Sequence, residues 1–222
     1  MRFSRETRVM DADQVLQKPV GNSEITKKNI LIAAMHEFAE YGDSGARIDR
    51  IAKRANANKS LIFRYFTNKE VLYENALREA YKQIRLGEEV LELDQLEPFD
   101  AIRALMRFTM DHYLKAPWFL RLVATENLRR GQTIEKMENI ASLQSPLIAQ
   151  LRSVLKRGEE AGLFREGVDP TNLYILIASF FFFPISNTYT LPVVFGVEVG
   201  DPQWLEQHLA ASETMILAYL KK

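Results

Sequence analysis

Between Arg47 and Phe66 two apolar stripes at helical spacing are parted by only three residues, Asn56-Ala57-Asn58. Ile48, Ile51, Ala52 and Ala55 make the first stripe, on a helix from about Arg47 to Ala55. Ile62 and Phe66, an i, i+4 pair, anchor the second, on a helix from Lys59 to Phe66. Asn tolerates positive φ better than most residues, so the link reads as a tight turn. Upstream, a helix starts near Ser23 with Glu24 in its positive first turn. It carries Ile30, Ala34, Phe38 and Tyr41 on one face and ends at Gly42, which enters the left-handed region without strain. Three short helices with a three-residue turn between the second and third predict a helix-turn-helix head.

Charge follows the same boundary. The chain's 29 basic and 29 acidic residues cancel, which taken alone argues against a nucleic-acid partner. Their distribution argues for one: residues 44–69 hold seven basic side chains and one acid, whereas residues 86–222 hold 13 basic and 18 acidic. Segregation of this kind is an electrostatic footprint for DNA.

The rest of the chain is also helical in pattern. Thr67-Asn68-Lys69-Glu70 matches a capping box, and Tyr73, Leu77, Ala80, Tyr81 and Ile84 carry the fourth helix to about Leu91. Pro98 and Pro117 suit the first turns of helices over 98–115 and 117–129. A long helix over 133–161, kinked at Pro146 and stopped by Gly162, comes next. Asp169-Pro170 and Asp201-Pro202 each pair an acidic cap with a first-turn proline, opening helices over 170–189 and 202–220. Thr190 to Gly200, with a proline and two glycines, reads as loop. The expectation is an all-α chain of about nine helices: an arm over 1–22, a three-helix DNA-binding head over 23–70, and a larger body over 71–222.

Residues 30–42 and 47–72 together resemble the DNA-binding head of the TetR (tetracycline-repressor-like) family of regulators. The likeness rests on Ile30 to Gly42, the Ile51-Ala52 pair, the run Lys59-Ser60-Leu61-Ile62-Phe63-Arg64-Tyr65-Phe66, and Lys69-Glu70-Val71-Leu72. The turn departs from the family's usual Gly-Val-Ser, and Ala46-Arg47 replaces a common Thr-Thr. The resemblance implies that Asn58, Lys59, Ser60 and Leu61 face bases or nearby phosphates in the major groove. It implies that Phe63, Arg64 and Tyr65 lie along the sugar-phosphate, although a short helix could equally turn Phe63 and Tyr65 into its core. Arg47 can reach phosphate as well as Thr can, and Lys69 stands at a helix start, where dipole and ammonium together favour one. The arm over 1–22 is either an unstructured tail or a basic strand against a groove.

The resemblance further implies a ligand-responsive repressor that binds a palindromic double-stranded operator as a homodimer and is released by a small effector. Phe180 to Phe183 project in every direction from their helix, so 170–189 with 202–220 is the expected dimer surface. Met106, His112, Tyr113, Trp118, Phe119, Met137, Tyr174 and Phe180 could line a pocket for a partly apolar effector, although such a stripe is more often core.

Two other classes compete. An all-α enzyme is disfavoured because His36, His112 and His208 are far apart, and no Gly-rich phosphate loop, Gly-x-Ser-x-Gly or Asp-rich box is present. A helical interaction protein without DNA binding does not explain the basic segment. No Cys is present, no cofactor or metal is expected, and the longest apolar run, 173–185, is too short to span a bilayer. A cytoplasmic protein is expected.

Overall fold

A computed structural model of the chain describes residues 23–140 and 145–222, so the N-terminal arm expected over 1–22 lies outside the described residues. Those residues form ten α-helices and no strand: α1 Ser23–Gly45, α2 Ile48–Arg54, α3 Lys59–Phe66, α4 Lys69–Glu89, α5 Pro98–Lys115, α6 Pro117–Leu128, α7 Ser145–Glu160, α8 Pro170–Ser186, α9 Leu191–Phe195 and α10 Pro202–Leu220. They group into two compact units. One holds α1 to α3, α4 as far as Ile84, and residues 118–140; the other holds Arg85–Pro117 and the described residues from 145 to the end.

In the first unit α1, α2 and α3 pack on one another. Gly42 interrupts α1 with φ 66, ψ 178, a conformation other residues adopt only with strain. Ile30, Phe38, Ile51, Ile62 and Phe66 are all buried, and the ring of Phe38 meets Tyr73 of α4 edge-on at 4.9 Å. In the second unit α5 packs against α7, α8 and α10, and α7 against α8. Gly158 of α7 lies against the buried ring of Phe164, where an added Cβ would fall 2.1 Å from Cδ2.

The acidic caps form as expected: Asp169 accepts the Asn172 N–H at 2.6 Å, and Asp201 those of Gln203 and Trp204. Three expectations are corrected. The capping box over 67–70 does not form; Thr67 takes φ 58 at the end of α3, and Asn68 instead caps α4 by accepting the Val71 N–H at 2.9 Å. The long helix over 133–161 is a 3₁₀ turn, Ile134–Lys136, and a separate α7 that starts at Ser145. Pro146 therefore occupies a first turn, where its missing N–H costs nothing, rather than a kink. Thr190 to Gly200 is not all loop, since Leu191–Phe195 makes the short α9, with Pro192 in its first turn and Gly196 closing it at φ 68.

Candidate nucleic-acid interface

The turn that separates α2 from α3 is built by its asparagines. Asn56 takes φ 49, and Asn58 caps α3, its Oδ1 accepting the Leu61 N–H at 2.8 Å. Asn58 thus has its side-chain oxygen engaged in the helix, leaving the amide NH₂ to face outward. Ile62 and Phe66, each 1% exposed, root α3 in the core. That leaves Lys59, Ser60, Phe63 and Arg64 exposed and Leu61 and Tyr65 half-buried. Phe63, at 45% exposure, is on the outside rather than in the core. Tyr65 is partly engaged, its hydroxyl donating to the Ser23 carbonyl at 3.3 Å. The outward row matches the one that the resemblance to TetR regulators marks as facing DNA.

Several of the cations already have partners. Lys59 pairs with Asp49, the lone acid of the basic segment, at 2.5 Å, with both side chains more than half exposed. An exposed pair of this kind holds on the order of 1 kcal/mol at most, so phosphate can compete for the ammonium. Arg64 lies 5.5 Å over the Tyr65 ring. Lys69 donates a short hydrogen bond to the Asp43 carbonyl and stands 3.9 Å from Asp43 Oδ1.

What holds the second helix in place was not visible as a motif. Glu37, buried on α1, accepts the Arg47 N–H at 2.9 Å and Arg50 Nε at 2.7 Å. Arg50 in turn donates to the Gly45 carbonyl at 2.7 Å, its guanidinium 4.0 Å over the ring of Tyr41. Arg50 is therefore a brace and Arg47 the exposed N-cap of α2. Changing Glu37 to Gln weakens both bonds, and we expect a loss of about 1–2 kcal/mol in urea unfolding.

Residues expected to line a pocket fall into two sets. Met106, His112 and Tyr113 on α5, with Tyr174 and Phe180 on α8, share the second unit, where those two helices pack together. Trp118, Phe119 and Met137 belong to the first, where Trp118 lies 5.8 Å from the His36 ring and Phe119 meets Tyr81 edge-on at 5.6 Å. All but Phe180 are buried. The first set includes a charged cluster with no precedent in the sequence pattern. Arg85 pairs with Glu88 at 2.5 Å and donates to the Tyr174 hydroxyl at 3.0 Å, while that hydroxyl donates to Glu88 at 3.1 Å. Burial pushes the Glu88 carboxyl up to about 7, with Arg85 and the Tyr174 hydroxyl pulling the other way. Burial lowers His112 to about 4, helped by the charges of Arg85 and Lys115. No group of acids and histidines among the described residues could hold a metal ion, and no described helix is long and apolar enough to cross a membrane.

The helices expected to dimerise carry large exposed apolar side chains. Ile175, Leu176 and Phe183 on α8, and Met215 and Tyr219 on α10, are all exposed, Phe183 by 61%.

Comparison with known proteins places this geometry among relatives. A family model described as "Bacterial regulatory proteins, tetR family" matches residues 30–76. A second, "Tetracyclin repressor-like, C-terminal domain", matches residues 98–216. The transcriptional repressor NicS of Pseudomonas putida is 36% identical over 80% of this chain and 84% of its own. The transcriptional repressor SCO4008 of Streptomyces coelicolor is 32% identical over 70% of this chain and 76% of its own. Among solved structures, the S. coelicolor transcriptional regulator SCO4942 superposes with a TM-score of 0.64 at 26% identity, over 88% of this chain and 98% of its own.

Proposed function

We propose, for a chain that belongs to the TetR family of bacterial transcriptional regulators, that it is a cytoplasmic repressor working as a homodimer on a palindromic operator. The observation that carries the reading is the exposed row on α3, rooted by Ile62 and Phe66 within the family's DNA-binding segment. Lys59, Ser60 and Leu61, with the amide of Asn58, meet base edges; Arg47, Phe63, Arg64, Tyr65 and Lys69 fix the register on sugar and phosphate. In this arrangement Lys59 donates to guanine O6 or N7, and Leu61 rests on a thymine methyl.

The exposed apolar side chains of α8 and α10 support a two-fold interface. Two copies of α3 then reach successive major grooves about 34–36 Å apart. A small effector bound among Met106, His112, Tyr113, Tyr174 and Phe180 releases the operator by favouring a state in which the two heads no longer match that spacing. Aromatic and sulfur-bearing walls around the polar group of Tyr174 suit a partly apolar molecule.

Selection of duplexes from a random-sequence pool tests the reading. The expected result is a two-fold symmetric site whose half-sites lie one helical turn apart. Phe183→Asp, which places a charge on the interface, should weaken dimerisation by on the order of 2 kcal/mol and lose the symmetric duplex at low protein concentration. Enrichment of no sequence, or undiminished symmetric binding by a monomeric Phe183→Asp variant, would remove the basis for it.

A further inference from the structure

Asp43, just after the break in α1, is shared by two cations from distant parts of the chain. Arg129, beyond the end of α6, makes a short bond to Asp43 Oδ2, while Lys69 of α4 holds the Asp43 carbonyl and lies 3.9 Å from Oδ1. Arg129 is itself fixed from two sides: its guanidinium lies 4.9 Å over the Tyr73 ring, and Nε is 3.7 Å from Glu126. Glu126 is held by the backbone, accepting the Thr133 and Ile134 N–H groups at 2.6 and 3.1 Å. Asp43, Lys69, Tyr73, Glu126 and Arg129 all belong to the same unit.

We infer that Arg129 is a positioning residue for DNA binding: by occupying the Asp43 carboxylate, it keeps that charge from neutralising Lys69, which is then left cationic for an operator phosphate. The inference rests on the reading of Lys69 as a phosphate contact. One carboxylate carries a single negative charge, and two cations compete for it. With Arg129 on Oδ2, the carboxylate is compensated, and Lys69 needs only the neutral carbonyl to hold its ammonium in place. Lys69 is one-third exposed, so a phosphate can approach it from solvent. Without Arg129 the nearest cation to Asp43 is Lys69, and a small side-chain rotation closes the 3.9 Å gap. The resulting pair sets a neutral group where a positive one met DNA.

The arrangement gives residues 118–140 a hold on the reading head through charge as well as through packing. Any change of state that draws Arg129 away from Asp43 lowers affinity for every DNA sequence alike, because a phosphate contact carries no base information.

The test measures binding to a duplex selected from a random-sequence pool, across a salt series, with helicity and melting followed for each variant. Arg129→Gln should bind on the order of tenfold more weakly as a dimer, with a salt slope shallower by about two, one phosphate per protomer. Arg129→Lys should behave as the parent. Asp43→Asn in the Arg129→Gln background should restore both affinity and slope, a rescue that a purely structural role for Arg129 would not give. If Arg129→Gln fails to fold, Asp43→Asn with and without Arg129→Gln must both show the full parental slope, and a shallow slope in the double variant overturns the inference. An unchanged slope in folded Arg129→Gln, or no rescue by Asp43→Asn, also overturns it. Lys69→Gln separates the two readings: a shallower slope there with none in Arg129→Gln sinks the inference alone, whereas no effect of Lys69→Gln sinks the phosphate contact as well.

Discussion

Replacing Lys59 and Arg64 together with alanine should abolish specific operator binding while leaving the helical content and the thermal melt of the protein unchanged. Both side chains stand outside the core, Lys59 at the start of α3 and Arg64 one turn further on. Among the described residues the change removes the exposed pair of Lys59 with Asp49 and the stacking of Arg64 on Tyr65, each a surface interaction. The cost therefore falls on the complex. A base contact or phosphate contact is worth about 1–3 kcal/mol, and a two-fold assembly loses four of them. Even with partial compensation by Lys69 and Arg47, affinity should fall by at least about a hundredfold. The slope of log affinity against log salt should flatten by about two, at roughly 0.9 for the phosphate that each Arg64 of the dimer gives up. Gel shifts over a salt series on the selected duplex measure both quantities. A double variant that shifted this duplex with parental affinity would mean that α3 is not the reading helix.

The head was legible in the sequence because its physics is local. Short range apolar pairs such as Ile62 and Phe66, the Asn-rich turn and the glycine at 42 each act within a few residues, so spacing alone predicts them. Helix starts at Pro98, Pro117, Pro170 and Pro202 were legible for the same reason. The errors came where two local signals were equally good. Thr67 and Asn68 are both cap residues, and the positive φ at Thr67 decides for Asn68. Pro146 suits a kink and a first turn equally, and the break after Lys136, where Asn139 takes φ 59, parts the 3₁₀ turn from the α7 that periodicity had merged with it.

Long-range polar contacts left no trace in spacing. Glu37 and Arg50 sit thirteen residues apart, Arg129 and Asp43 eighty-six, and Tyr174 and Glu88 eighty-six, and nothing in a linear pattern ties them. One signal was available in principle: an acid on an otherwise apolar helix face, as at Glu37 between Ala34 and Phe38, has to find a cation or an N–H when it is buried. The exposed side of α8 was partly legible. Four successive phenylalanines require cover on most sides, and the structure divides them between the core, which takes Phe181, and the outside, which takes Phe183.

Two buried groups of the second unit, Glu88 and His112, should work against each other as pH changes. Glu88 is 1% exposed and its carboxyl is raised by burial from an ordinary 4.5 to about 7, against the pull of Arg85 and Tyr174. The folded protein therefore holds that proton more tightly than the unfolded chain. Stability from this group is complete below about 4.5 and is lost as pH climbs through 7. His112, 4% exposed, is lowered by burial from 6.5 to about 4, so its contribution has the opposite sign: complete above 6.5, and lost as pH falls through 4. At about 1.4 kcal/mol for each pH unit between ordinary and native values, each is on the order of 3 kcal/mol. Between 4.5 and 6.5 the two nearly cancel, and the parent's urea-unfolding free energy should carry little slope from either group. Removing one should expose the other. Glu88→Gln keeps the shape and the bond to Tyr174 while ending the titration, so its stability should rise with pH from 4 to 6.5. His112→Gln should show the reverse, a stability that falls from 4.5 to 7. Urea unfolding at half-unit pH steps measures the slopes, and two variants whose profiles ran parallel to the parent's would show that neither group titrates in the folded protein in this range. A further variant, Glu88→Ala, leaves the Arg85 guanidinium buried without its acid and should lose about 3–5 kcal/mol at neutral pH, which separates the loss of the ion pair from the loss of a titrating proton.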